Sequence, residues 1–161
     1  MIWSIVPAAS SAAGSGVHKA MTVRHLVAAV AFLCWIGAEP ELMEFTTVGR
    51  GDLSQIDEPR HVVVRTAAEW SALWKQHAGG VRPPAIDLTR SIVIGVFLGS
   101  RPTAGYTVEI TRIEKEDAGL VVTYREQGPA ADAMVAQMLT APFHIVRTQS
   151  HSGPVRFLRT P

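Results

Sequence analysis

The sequence predicts an α+β domain built mostly from antiparallel β-sheet, with one amphipathic helix packed on it. Three observations carry this. Residues 91–98 (SIVIGVFL) are apolar at successive positions, as a central strand covered on both faces is. Residues 107–111 (TVEIT) alternate instead, which gives their strand a solvated side. Trp70, Leu73, Trp74 and His77 recur at helical spacing behind a Thr66-Ala67-Ala68-Glu69 capping box, and Gly79-Gly80 closes that run.

The other elements follow in chain order. Residues 1–20 are low in complexity, with no periodic apolar pattern. They are expected to be a disordered extension or an over-called start ahead of an initiator at Met21. Residues 21–38 have the three parts of a secretory signal: Arg24 and His25, an apolar run over 26–36, and the small-residue exit Gly37-Ala38. That run is shorter than the roughly 20 residues a membrane-spanning helix needs, so the expectation is a signal cleaved after Ala38 and no stable span thereafter. Ile36, three residues before the new end, is bulkier than signal peptidases prefer. The single cysteine, Cys34, lies inside the run behind a bulky Leu33, which argues against lipid modification. Its removal leaves an exported domain without disulfides or thiol chemistry.

Residues 39–59 read as a linker or edge strand, with 44–48 (EFTTV) as the strand. Residues 60–161 form the domain proper. After the short strand 61–65 and the helix, residues 91–98, 107–113 and 120–125 are expected to form an antiparallel meander. Residues 143–148 and 155–159 are expected to close the domain as a hairpin.

Composition excludes several functions. With 15 Lys and Arg against 14 Asp and Glu, and no basic cluster, nothing points to nucleic acid as a partner. No nucleophile elbow, phosphate-binding glycine loop or His-Glu zinc motif occurs. His61, His77, His144 and His151 show no metal-ligand spacing, although the expected hairpin would bring His144 and His151 near each other. Glu109 and Glu126 are the carboxylates nearest to an acid/base pair, and both fall at solvated strand positions. Asp87 reads as a turn residue. Trp70 and Trp74 read as core, with an indole-lined small-molecule site as the minor alternative. The residues predict no enzyme, no cofactor and no metal.

One loop stands apart. In Arg101-Pro102-Thr103-Ala104-Gly105-Tyr106 the proline fixes a backbone angle, the glycine permits a positive φ, and the tyrosine offers an amphipathic ring. Arg101, Pro102, Thr103, Gly105 and Tyr106 are therefore the candidate partner contact.

The segments HVVVRTAAEWSALW, IVIGVFLGSRPTAGYTVEI, LVVTYRE and APFHIV through PVRF together resemble the PrcB C-terminal domain family of protease complex subunits. The resemblance covers residues 60–157. It is most specific in Glu69-Trp70 with Leu73-Trp74, in the turn from Gly99 to Tyr106, and in Thr140-Ala141-Pro142-Phe143. It implies an exported, periplasmic or extracellular, non-catalytic module that binds a protein, as an accessory or stabilising subunit of an extracytoplasmic protease. Where that family commonly has Gly-Gly-Tyr, this chain has Ala104-Gly105-Tyr106. The same loop is similar to the Asn-Pro-Thr-Thr-Gly-Tyr loop of chagasin-type protease inhibitors, with Arg101 in place of the Asn, and this implies inhibition as the alternative role. That family's two other inhibitory loops have no counterpart here.

Overall fold

The structure is a computed structural model that describes residues 39–116 and 119–161; the expected extension and signal segment lie outside the described residues. Among the described residues, eight strands and one helix run in the order β1 (Glu41–Leu42), β2 (Phe45–Gly51), β3 (Arg60–Val64), α1 (Ala67–Ala78), β4 (Ser91–Phe97), β5 (Thr107–Glu116), β6 (Gly119–Gln127), β7 (Phe143–Gln149) and β8 (Val155–Thr160). They form two four-stranded sheets, ordered β1-β5-β6-β8 and β2-β7-β4-β3. The predicted α+β class, mostly antiparallel with one helix, is the observed one.

Strand β4 explains the layering. Its even positions, Ile92, Ile94 and Val96, pack between the sheets against Val108, Ile110, Val122 and Tyr124. Its odd positions, Val93 and Phe97, face Trp70 and Leu73 of α1. Because side chains alternate across a strand, a strand with a sheet on one side and a helix on the other must be apolar throughout. The helix begins as its sequence predicts, with the Thr66 hydroxyl accepting from Glu69 N–H and the Glu69 carboxylate accepting from Arg65 and Thr66 N–H. Trp70, Leu73 and His77 are buried beneath it.

Two connections differ from expectation. The 98–106 turn is not a hairpin. It carries the chain from β4 in one sheet to β5 in the other, so only β5 and β6 form an antiparallel pair from the expected meander. Likewise β7 pairs with β2 and β4, whereas β8 crosses to the other sheet and lies parallel to β6. No hairpin therefore brings His144 and His151 together. Local alternation cannot distinguish these cases, since a strand with one apolar face fits the inner face of either sheet.

A bulge in β5 resolves a phase conflict. Val108 and Ile110 point inward at even positions and Ile113 does so at an odd one, and the register shifts between Ile110 and Arg112. One extra residue at Thr111 turns the strand over.

Candidate functional site

The turn after β4 is built by close backbone approach. Gly99 has φ +69°, and a Cβ there would stand 2.5 Å from the Asp57 carbonyl oxygen, so only glycine fits. Ser100 N–H donates to that same carbonyl at 2.8 Å. Arg101 then exchanges two backbone hydrogen bonds with Thr140, of 2.7 and 3.0 Å. The Thr140 hydroxyl donates to Thr103 O, and Ala104 N–H donates to Ala136 O. Gly105, at φ +90°, lets the chain pass Pro129 and Val135. The Tyr106 ring rests against Gly128 on one side, and the Arg101 guanidinium stands 5.8 Å from its centroid.

Of the candidate contact residues, Pro102 and Gly105 are exposed, and Arg101, Thr103 and Tyr106 are half-buried. They sit together at one end of the sandwich, braced by the 128–142 loop. That loop contributes residues that the sequence reading passed over. Met134, Met138 and Leu139 are exposed, as is Leu53, whose segment pairs with Ala141 beside Thr140. Four large apolar side chains in solvent around one rigid turn form a patch of the kind that marks interaction sites. The available signal was a run of Met, Val and Leu in a Pro/Gly loop with no strand to bury it.

Three polar clusters lie away from this turn. Ser54 Oγ lies 2.9 Å from His77 Nδ1, yet it also accepts from Ile56 N–H. The imidazole is enclosed by Phe143, Trp74 and Phe97, and burial holds its pKa below the usual histidine value. Together with the Gln55 N–H bond to His77 O, this pair fastens the 52–56 loop to the end of α1.

His144 joins the two sheets. Ile110 N–H, released from the ladder at the β5 bulge, donates to Nδ1 at 2.8 Å, which places the ring proton on Nε2, 2.9 Å from Thr47 Oγ1. Burial, and secondarily the Arg50 charge, push its pKa down to about 4, against the opposing pull of Glu109. Glu109 itself is clasped by Arg50 at 2.8 Å and Arg125 at 3.3 Å. Desolvation works to raise its pKa, but these two cations hold it below the usual carboxylate value. Glu126 lies 3.5 Å from Arg159. Both Glu109 and Glu126 thus have arginine partners. Among the described residues no cluster of three or more His, Cys, Asp or Glu side chains could hold a metal, and no helix is long and apolar enough to cross a membrane. Trp70 is core, its indole N–H donating to Pro84 O, and Trp74 packs beside it.

The family model described as PrcB C-terminal matches residues 92–149. Residues 92–149 are similar to the PrcB C-terminal family. The PrcB C-terminal match runs from β4 to β7 and so contains the turn, the bulged β5–β6 pair and the exposed loop that braces Tyr106. It leaves β3, α1 and β8 outside. No curated protein and no solved structure matches the chain.

Proposed function

We propose that this protein is an exported, non-catalytic protein-binding module that serves as an accessory subunit of an extracytoplasmic protease, with the 101–106 turn and its surrounding apolar loop as the contact face. The observation that carries the reading is the coincidence of the PrcB C-terminal match with the one end of the domain where Leu53, Met138 and Leu139 surround a braced turn. A rigid turn loses little conformational entropy on binding, and exposed methionines adapt to a partner's surface. The signal-like residues 21–38 support export.

The test is co-purification of the full-length chain with envelope and secreted proteins from its native cells, beside Tyr106→Ala and Leu139→Asp variants. A protease recovered with the native chain and lost with both variants, each still folded by circular dichroism, is the expected result. Recovery of no protease, or recovery indifferent to both substitutions, overturns the assignment. The captured protease then separates the roles: a longer half-life means stabilisation, and slowed turnover means that the turn acts as an inhibitory loop.

A further inference from the structure

Strand β3 ends the β2-β7-β4-β3 sheet and pairs with β4 alone, so alternate N–H and C=O groups along its outer side have no strand partner among the described residues. Native edges are commonly blunted by proline, a bulge or a covering element. This one has none of these within its span. The register from Arg60 to Val64 is unbroken, and Val62 and Val63 are only half-buried. Beside it runs a groove of about 440 Å³, floored by β3 and walled by one stripe of α1, Glu69, Ala72, Leu73 and Gln76. The small Ala72 at mid-groove leaves room for a backbone.

The two ends of the groove differ in charge. At one end Arg60 donates to Gln76 at 2.8 Å and lies near the Phe97 ring, takes part in none of the ion pairs among the described residues, and keeps a buried Nε without an acceptor. At the other end stands the Glu69 carboxylate, engaged with the Arg65 and Thr66 amides. A strand entering antiparallel to β3 runs from the Glu69 end to the Arg60 end, which carries its own C-terminus to a guanidinium that has no carboxylate partner among the described residues. The ladder also stops there, because Pro59 has no N–H to offer.

We propose that this groove receives the C-terminal segment of a partner protein as an added β-strand, with main-chain pairing to β3 and the terminal carboxylate held by Arg60. Backbone pairing supplies the affinity, the half-buried Val62 and exposed Ala72 favour apolar side chains at alternate positions, and the carboxylate fixes direction. The surface is separate from the 101–106 turn, so it stands whether or not that turn binds a protease.

The experiment titrates the ¹⁵N-labelled full-length chain with an N-acetylated Val-Thr-Val-Thr-Val peptide bearing a free carboxylate, with its C-terminal amide, and with a form N-methylated at alternate residues. The expected result is amide shifts confined to 61–64 and to the facing stripe of α1. The amide form is expected to bind about tenfold more weakly and the N-methylated form not at all. In Arg60→Gln the free acid and the amide are expected to bind alike. Equal binding of acid and amide by the native chain overturns the proposal, as do shifts centred on 101–106 or no shift up to about 1 mM peptide. It also falls if the outward-facing β3 amides, those not bonded to β4, are already protected from exchange, whether by a second copy seen in sedimentation or by residues 1–38 as judged from their removal. Should Arg60→Gln fail to fold, the native chain's discrimination between acid and amide decides alone.

Discussion

Burial disfavours the charged form of His144, and its Nδ1 accepts from Ile110 N–H, so protonation would also turn that acceptor into a second donor facing an amide. Its folded pKa of about 4 lies below the usual 6.5. The unfolded chain therefore binds this proton more readily, and the stabilisation is full above about pH 6.5 and disappears as pH falls through 4. The native protein is expected to lose on the order of 2 to 3 kcal/mol more than His144→Gln between pH 7 and pH 4, measured by urea unfolding at each pH. Parallel losses in the two proteins would contradict the role given to this ring. Gly99 makes a second residue-scale prediction. Gly99→Ala forces a Cβ against Asp57 O at a positive φ and is expected to cost about 2 to 4 kcal/mol, whereas Gly80→Ala meets nothing within 4 Å and is expected to be near neutral. Equal thermal midpoints for the two variants would contradict it. The glycine's importance was legible as part of a Pro/Gly turn. The histidine's was not, because its partner exists only once the bulge has freed Ile110 N–H.

At the scale of elements, the helix was the most readable part of the chain. Thr66, Glu69, Trp70, Leu73, His77 and Gly79 each do locally what their types predict, since capping and helical periodicity depend on neighbours within a turn or two. Thr66→Ala is expected to remove the cap and cost about 1 kcal/mol, read as a lowered urea midpoint with an unchanged slope. A changed slope would mean that the substitution alters more than the helix end. Strand existence was legible as well, because β4 declares its two covered faces in residues 91–98. Strand partnership was not. The β7–β8 segment reads as a hairpin by proximity, yet β8 lies parallel to β6 at the edge of the other sheet, a long-range pairing that local alternation does not encode.

At the scale of the whole molecule, the described chain crosses between its sheets at the β1–β2, β4–β5, β6–β7 and β7–β8 links. Opposite flanks are fastened by side chains, Arg50 to Glu109 on one and His61 stacked on Phe157 on the other. The β4–β5 crossing is what brings the 101–106 turn against the 128–142 loop and concentrates Leu53, Met138 and Leu139 beside it. The turn was visible in sequence as a rigid loop. The apolar patch was not, since exposure of Met and Leu in a loop is a property of the assembled end of the sandwich.

The most direct test of that face is site-specific photo-crosslinking in native cells, with the reactive residue at Leu139 and, as control, at Leu158, an exposed residue of β8 in the other sheet. The predicted result is a discrete adduct with an extracytoplasmic protease from position 139 and none from position 158. Adducts from 158 alone, or none from 139, would contradict the claim that this end of the domain is where the protein binds its partner.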